Sequence, residues 1–366
     1  MTRITFVSLK AYPLFNPKCN ETFGGSEVQV SNYAKELSKK HKVSIIVADF
    51  GQKSVEKHGG ITIVKSYSLK KTPLNYLKAP LVLEKAIKRT KPEIIICRAK
   101  GPEVGLCAAY ARIKKIPLIY MIAHDGDARG DFFKGILGKL FKYGIKNADH
   151  IIAQNNYQYK TYIKRFKKNN ISLLDASYPL TPPPKRKENY ALWVGRSDHW
   201  KRPDLLIKLA KALPEHKFVM IMPKSDEKIW TRERRKALST QNIKFIEKVP
   251  FAKIQKYFNK ARVLVSTSES EGYPNVFVQA CIAGTPIVSL KANPNNALEK
   301  IGFFCKGEFK TLVKKTRLLL EDDKRWREKS RKAREHAEKK HDIKKNILKL
   351  DKIIEKTIIE KEKNNK

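Results

Sequence analysis

The fold class is decided by one stretch, VLVSTSESEGYPNVFVQACIAGTPIVS, which spans residues 263–289. It begins with an apolar run at 263–266 that predicts a buried strand. A loop containing Gly and Pro follows, then a short helical segment, then a second apolar run at 287–289. Strand, loop, helix and strand in this order are typical of a parallel α/β sheet, in which ligands bind at the loops that follow the strands.

The loop within this stretch carries groups that suit a nucleotide sugar. Backbone amides from Gly272 to Val276 lie near the predicted start of a helix, where they can hold an anion such as a phosphate. The neighbouring carboxylate of Glu271 would repel a phosphate, and it is better suited to accept hydrogen bonds from sugar hydroxyls. A phosphate cradle beside a hydroxyl acceptor predicts a nucleotide-sugar pocket.

The same loop resembles the donor-site signature of the GT-B glycosyltransferases, in particular the retaining glycosyltransferase family four (group 1). That family has the pattern Glu-Gly-Phe/Tyr-Pro-Asn, with a second Glu eight positions after the first. The residues that match are Glu271, Gly272, Tyr273, Pro274 and Asn275. The second acidic position holds Gln279, whose amide can hydrogen-bond a ribose diol without bringing a charge. The resemblance implies that residues 271–276 and Gln279 bind the donor.

Length and composition indicate a soluble chain with two domains. The chain has 366 residues, of which 41% are hydrophobic and 31% charged. No apolar run approaches the roughly 20 residues that span a bilayer, and the strand-like N-terminus is not typical of a signal peptide. Five scattered cysteines predict free thiols in a reducing cytoplasm and no zinc site.

The charge of the chain points to polyanionic partners. Lys and Arg number 77 against 36 Asp and Glu, which gives +41. Nucleic acid, an anionic membrane face and phosphorylated substrates all fit this excess, and a generally lysine-rich composition is the alternative. Because no zinc finger, RRM or helix-turn-helix pattern is present, no specific nucleic acid is expected. The basic, apolar stretch 132–146 either lies in an anionic membrane interface, on the inner face of the membrane, or packs on the sheet.

Apolar runs alternate with helical stretches along both halves of the chain, which predicts two doubly wound parallel sheets. Residues 177–187 break the alternation, since their three consecutive prolines cannot continue a helix or a central strand. We therefore predict domains at 1–180 and 190–340, a linker at 181–189 and a helical end at 341–366. The GT-B resemblance implies Rossmann-like domains facing a central cleft, the first on the acceptor side and the second binding the donor. It also implies that the last helix crosses back to the first domain.

A basic loop follows the first strand of the second domain. Transfer from a nucleotide sugar releases a diphosphate, and without a metal fixed cations must stabilise its growing charge. Arg196 offers a planar fork and Lys201 a point charge. Together with Gly195 they match the Gly-Arg…Lys pattern of the family, whose Arg and Lys bind the donor diphosphate. A solvated basic loop is the alternative interpretation.

The first domain carries weaker motifs. Gly24 and Gly25 lie between a strand and a helix, where glycine lets the backbone approach a phosphate or sugar, although many such turns are structural. They resemble the Gly-Gly-Ala/Ser-Glu start of the family and would form the cleft floor. His124 follows the strand at 118–122, and the resemblance implies that it contacts the donor sugar; a surface or capping histidine is the alternative. The Asp125-x-Asp127 pair resembles the metal motif of GT-A enzymes, but two α/β units argue against that fold, and we predict no metal site.

The resemblance implies a glycosyltransferase. It would move a sugar from a UDP- or GDP-linked diphospho-sugar to a hydroxyl of a glycan or lipid-linked acceptor, with retention and without metal or cofactor. The expected catalytic residues are Arg196, Lys201, Glu271 and His124, and the leaving diphosphate would help to deprotonate the acceptor. Two alternatives stay open: a non-hydrolysing epimerase or phosphorylase of the same fold, and a catalytically decayed polyanion-binding protein.

Overall fold

A computed structural model describes residues 1–70, 72–98, 100–184 and 187–365. The chain forms two compact units. One contains Met1–Pro179 together with Ile343–Lys366, and the other contains Leu180–Asp342. The linker predicted at 181–189 includes Lys185 and Arg186, which lie outside the described residues. The domain bounds derived from the sequence stay a prediction.

The first unit is an α/β layer structure with strands and helices in alternation. Its elements are β1 (Arg3–Val7), α1 (Gly25–Leu37), β2 (Lys42–Val47), β3 (Val55–His58), β4 (Ile61–Lys65), α2 (Pro73–Thr90), β5 (Ile94–Arg98), α3 (Pro102–Ile113), β6 (Leu118–Met121), α4 (Asp125–Arg129), α5 (Gly135–Lys146), β7 (His150–Ala153), α6 (Asn156–Phe166) and β8 (Ile171–Leu173).

The sheet of this unit has the order β3-β4-β2-β1-β5-β6-β7-β8. All neighbours are parallel except β3, which runs antiparallel to β4. Strand β5 is buried at every position, as expected where helices cover both faces of a parallel sheet. Phe141 and Tyr162 lie in the core on one face, while Tyr33 lies in the core on the other with Leu350 and Ile354 from the end of the chain.

The second unit repeats the alternation. Its elements are β9 (Tyr190–Val194), α7 (Pro203–Ala212), β10 (Lys217–Ile221), α8 (Glu227–Leu238), β11 (Ile243–Ile246), α9 (Phe251–Lys260), β12 (Val263–Ser266), α10 (Asn275–Ile282), β13 (Ile287–Ser289), α11 (Leu298–Ile301), β14 (Gly302–Phe304), α12 (Phe309–Glu321) and α13 (Asp323–Lys340). The last helix, α14 (Ile343–Asn365), belongs to the first unit.

The sheet of the second unit is parallel throughout, in the order β11-β10-β9-β12-β13-β14. Strands β9 and β12 are neighbours, with Ala191 beside Val263 and Leu192 beside Leu264. Because parallel strands end at the same edge of a sheet, the loops that follow β9 and β12 meet there. These are the two loops in which the sequence places most of the candidate donor-binding residues.

Lys187 fixes the start of the second unit to its core. Its ammonium donates hydrogen bonds to the carbonyl of Ala283 at 2.7 Å, to Thr285 Oγ1 at 2.7 Å and to the carbonyl of Phe258 at 3.2 Å. Burial lowers the pKa of Lys187 to about 7. The three acceptors around the ammonium favour its charged form and so oppose that shift.

The sequence predicts free cysteine thiols and no bilayer-spanning segment. Within the described part of the chain, no helix combines the length and the apolar character needed to cross a membrane. All five cysteines are free thiols, and only Cys19 is not fully buried.

Candidate functional site

Hydrogen bonds join the loop after β9 to the loop after β12. Trp193 Nε1 donates to Thr267 Oγ1 at 2.9 Å, and that hydroxyl donates in turn to the carbonyl of Lys201 at 2.7 Å. The amide of Glu269 donates to the carbonyl of Trp200 at 2.8 Å. These bonds fix the two loops side by side at the edge of the sheet.

The predicted diphosphate-binding lysine and the predicted sugar-binding carboxylate are in direct contact. Lys201 Nζ and Glu271 Oε1 form an ion pair across 70 residues of sequence. Their side chains are only 18% and 14% exposed. A cation and an acceptor carboxylate therefore share one partly buried place.

Arg196 lies in the same β9 loop, half-buried, with its guanidinium Nη2 2.8 Å from Asp198 Oδ2. The two groups are paired as charges without the alignment of a hydrogen bond, since Oδ2 has no hydrogen-bond partner. The loop has a firm base because Ser197 Oγ donates to the carbonyl of Asp226 at 3.1 Å. Gly195 passes close to the Trp193 ring, and a Cβ there would lie 2.8 Å from it. The charge pair with Asp198 thus holds Arg196 at the site. Close packing against the Trp193 ring requires glycine at position 195.

The amides proposed for a phosphate lie in the β12 loop and the first turn of α10. Helix α10 begins at Asn275, directly after Pro274, whose carbonyl accepts from the amide of Phe277 at 3.0 Å. A helix start of this kind favours an anion. Gln279 lies further along the same helix and is buried, and its backbone carbonyl accepts from Gln255 Nε2 at 3.1 Å.

Tyr273 has an anchoring contact that sequence reasoning missed. Its hydroxyl lies 3.0 Å from His336 Nε2 and 2.9 Å from His341 Nε2, and the two imidazole rings are 5.1 Å apart. Burial, together with the positive charges of Lys340 and Lys300, lowers the pKa of His336 to about 4. The contact ties the loop at 267–274, which carries the donor-site signature and is called the signature loop below, to the end of α13. No motif marks the two histidines, since only the packing of α13 on α10 brings them to Tyr273.

In the first unit, Gly24 and Gly25 begin helix α1. Gly24 is its N-cap, and its amide donates to Glu27 Oε2 at 2.7 Å. His124 caps α4 in a similar way, because its Nδ1 accepts from the amide of Gly126 at 3.0 Å. An imidazole that accepts at Nδ1 carries its proton on Nε2 when it is neutral. His124 therefore caps α4 through Nδ1, which leaves Nε2 as the nitrogen that can donate.

The Asp125-x-Asp127 carboxylates serve two separate hydrogen-bond networks. Asp127 is buried and accepts from the Tyr120 hydroxyl at 2.9 Å and from the amides of Ala123 and His124. Its burial raises its pKa. Asp125 Oδ1 instead accepts from two side-chain amides, those of Asn155 and Gln158, at 3.0 and 2.9 Å. The pair is explained by these internal contacts, and nothing in them favours the GT-A metal interpretation.

Elsewhere among the described residues, one group of possible cation ligands occurs: Glu215, His216 and Glu321, whose ligand atoms lie within 4.8 Å of one another. Arg317 competes for it, with its Nη2 3.4 Å from Glu215 Oε1. The group is surface-exposed apart from His216.

The stretch 132–146 packs largely inward. In α5, Phe141 and Ile145 are buried in the core of the first unit. Gly144 lies so close to α3 that a Cβ would be 2.6 Å from the carbonyl carbon of Val104. Ile136 and Leu137, at the start of the helix, are exposed. The apolar stripe of this segment is therefore mostly explained by packing.

Two family models match the chain, one after the other. The model described as Glycosyltransferase Family 4 matches residues 23–174, and the model described as Glycosyl transferases group 1 matches residues 181–340. The chain belongs to the group 1 glycosyltransferases of family 4 type. This glycosyltransferase contains the signature loop and the basic β9 loop within the group 1 match, and Gly24, Gly25 and His124 within the other.

Named relatives of this glycosyltransferase include a Campylobacter jejuni enzyme, GalNAc-alpha-(1->4)-GalNAc-alpha-(1->3)-diNAcBac-PP-undecaprenol alpha-1,4-N-acetyl-D-galactosaminyltransferase. It is 26% identical over 278 residues, which cover 70% of this chain and 73% of the relative. Sucrose-phosphate synthase from Thermosynechococcus elongatus has a similar structure, with a TM-score of 0.77, 16% identity and coverage of 96% and 98%. The pneumococcal O-GlcNAc transferase GtfA in complex with UDP and GlcNAc gives a TM-score of 0.60, 15% identity and coverage of 85% and 64%.

These findings confirm the predicted GT-B fold with two Rossmann-like domains and the prediction of a sugar-transferring enzyme. They favour a glycosyltransferase over the epimerase, phosphorylase and decayed-protein alternatives. The roles of the individual site residues stay predictions.

Proposed function

We propose that this glycosyltransferase moves a sugar from a UDP- or GDP-linked diphospho-sugar to a hydroxyl of a glycan or lipid-linked acceptor, with retention, and without a metal or a resident cofactor. The observation that carries the proposal is the contact between Lys201 and Glu271. It brings together a cation suited to a diphosphate and a carboxylate suited to sugar hydroxyls, at the carboxyl ends of the neighbouring strands β9 and β12.

The ion pair suggests how the donor is received. A diphosphate that attracts Lys201 releases Glu271, and the freed carboxylate can then accept hydrogen bonds from the sugar. Arg196 adds a second cation, so that the growing negative charge of the leaving diphosphate meets fixed positive groups. Gly195 and the amides of residues 272–276 give the phosphates close access to the backbone, and Gln279 hydrogen-bonds the ribose.

His124, Gly24 and Gly25 complete the proposed set in the first unit. His124 would donate from Nε2 to a hydroxyl of the donor sugar, since its Nδ1 already accepts from Gly126. Gly24 and Gly25 expose backbone at the start of α1, where a ligand can approach closely. Because Gly24 and His124 also cap helices, their substitution would affect local stability as well as activity.

For the acceptor we propose a glycan carried on a lipid diphosphate. The Campylobacter jejuni relative is named for a PP-undecaprenol-linked glycan. The net charge of +41 supports a substrate that itself carries phosphates. For the donor, the complex of pneumococcal GtfA with UDP and GlcNAc supports the choice of UDP as the first nucleotide to examine.

The test is a transfer assay with the purified full chain, UDP- and GDP-linked sugars, and glycan or polyprenyl-diphosphate-linked acceptors. We expect acceptor-dependent nucleotide release that survives EDTA, and a product whose anomeric configuration, read by NMR, equals that of the donor. An inverted product would refute retention. Activity lost in EDTA and restored by manganese would refute metal independence, and donor conversion without any acceptor would favour the epimerase.

A further inference from the structure

Helix α2 exposes leucines on the side opposite its buried face. Leu74, Leu77 and Leu81 are 57%, 76% and 63% exposed. Their spacing of three and four residues places them in one stripe along the helix. The side of α2 that packs on the core is made by other residues: Ala79, Leu83, Ala86 and Ile87. The helix therefore has two apolar faces, and the described residues of the unit cover only one of them.

Cations border this leucine stripe. Lys78 follows Leu74 by four residues and Lys85 follows Leu81 by four, so that both lie on the same side of α2 as the leucines, and both are exposed. The sequence of α2 contains four basic residues and one acidic residue, Glu84, which forms an ion pair with Lys88 at 2.6 Å. An apolar stripe edged by lysines matches the pattern of a helix that lies in the interface of an anionic bilayer.

We propose that Leu74, Leu77 and Leu81 insert into the headgroup region of an anionic phospholipid bilayer while Lys78 and Lys85 contact the lipid phosphates. The charge of the surface selects this occupant over an apolar protein partner, because the overall charge of +41 would be attracted to an anionic leaflet from a distance. The proposal extends the proposed function, since it would bring the enzyme to an acceptor that resides in the membrane.

The test uses the full-length protein and vesicles that contain no acceptor: phosphatidylcholine mixed with phosphatidylglycerol, or phosphatidylcholine alone. Co-sedimentation of the native chain should require phosphatidylglycerol and should weaken as salt increases. The triple variant Leu74→Ser/Leu77→Ser/Leu81→Ser should partition at least about tenfold less, since it removes the apolar contribution. The double variant Lys78→Glu/Lys85→Glu should also bind less, most clearly at low salt.

A matched control removes three exposed leucines elsewhere. Leu173, Leu238 and Leu348 are 45%, 57% and 52% exposed, and their triple serine variant should bind vesicles like the native chain. Circular dichroism and thermal unfolding of both triple variants establish that they are folded. Equal vesicle binding by the α2 variant and the native chain, or an equal loss in the control, would overturn the proposal.

Two other outcomes are separable. If light scattering shows that the α2 variant has a different oligomeric state while its vesicle binding is intact, the stripe is an interface between copies. The membrane proposal then fails. If Ile136→Ser abolishes vesicle binding while the α2 variant does not, the start of α5 is the docking site instead. Because the vesicles lack acceptor, docking can be established even if the proposed transfer to a lipid-linked glycan is refuted, and the reverse also holds.

Discussion

Replacing Glu271 with glutamine should strengthen the binding of UDP and at the same time lower turnover. Lys201 Nζ is paired with Glu271 Oε1, so a diphosphate must compete with the carboxylate for the ammonium. Glutamine keeps the shape of the side chain and removes that competing charge. UDP lacks the sugar, and it therefore reports the phosphate contact without any contribution from hydroxyls bound by Glu271.

The expected size follows from the burial of the pair. Exposed ion pairs contribute about 0.2–1 kcal/mol, and hydrogen bonds to charged groups contribute about 1.5–3 kcal/mol. With 18% and 14% of the side chains exposed, this pair lies between those limits, at about 1 kcal/mol. Its removal should lower the Kd for UDP by roughly fivefold. Turnover should fall on the order of 100-fold, because an acceptor for the sugar hydroxyls is lost where the transition state needs it.

Calorimetric titration with UDP measures the first effect, and initial rates with the nucleotide sugar measure the second. The control is Glu269→Gln in the same loop, because Glu269 is paired with Arg202 at 3.1 Å at a more exposed place. Its Kd for UDP should change by less than about twofold. Unchanged or weaker UDP binding by Glu271→Gln would refute the idea that the carboxylate competes with the diphosphate.

Four further predictions concern the same unit. Arg196→Ala and Lys201→Ala should each lower kcat on the order of 100-fold with little change in thermal unfolding, and near-normal rates in both would contradict the diphosphate assignment. Gln279→Ala should weaken nucleotide binding by roughly 1–2 kcal/mol, whereas Gln279→Glu should bind as well or better; the opposite order would remove Gln279 from the ribose site. Tyr273→Phe should lower the free energy of unfolding in urea by about 1–2 kcal/mol, and an unchanged value would argue against the anchor. Since burial lowers the pKa of His336 from 6.5 to about 4, the unfolded chain binds more protons in this range, so the free energy of unfolding should decrease as the pH falls from about 6.5 to about 4. The His336→Phe variant should lose that part of the pH dependence, and an unaltered slope would show that other groups cause it.

The short strands β3, β8 and β14, which are not among the apolar runs that predict the two sheets, share one physical feature. Each of β3, β8 and β14 lies at the edge of a sheet. Edge strands are short and only partly covered, and their burial patterns here contain intermediate or exposed positions in every case. A run such as β5, buried at all five positions, gives a clear apolar signal, whereas Val55–His58 does not. Burial on both faces is thus what made the central strands predictable.

Part of the candidate site could be predicted because local patterns place it after strands. The signature loop and the basic loop were both assigned to strand ends, and they are found there. The contact between Lys201 and Glu271 could not be derived from spacing, because it depends on β9 and β12 being neighbours in a sheet whose order the sequence does not state. His336 and His341 were missed for the same reason: only the packing of α13 brings them to Tyr273.

Helix α2 shows a different limit. Its sequence offers two apolar sets, one containing Leu74, Leu77 and Leu81 and the other containing Leu83 and Ile87. Helical periodicity treats both as candidate core faces. Only the structure distinguishes the covered set from the exposed one.

Three of the contacts that hold the signature loop differ in kind. At its start the amide of Glu269 bonds to the carbonyl of Trp200, and at its end the Tyr273 hydroxyl is fixed by two histidines. Between these two contacts, Glu271 is joined to Lys201 by an ion pair. A diphosphate can replace the Glu271 carboxylate at Lys201, because both are anions, whereas the other two contacts contain no ammonium group that would attract it. The loop should therefore keep its shape while its central charge pair is exchanged for the donor, which is why we expect Glu271→Gln to change affinity and turnover in opposite directions without loosening the loop.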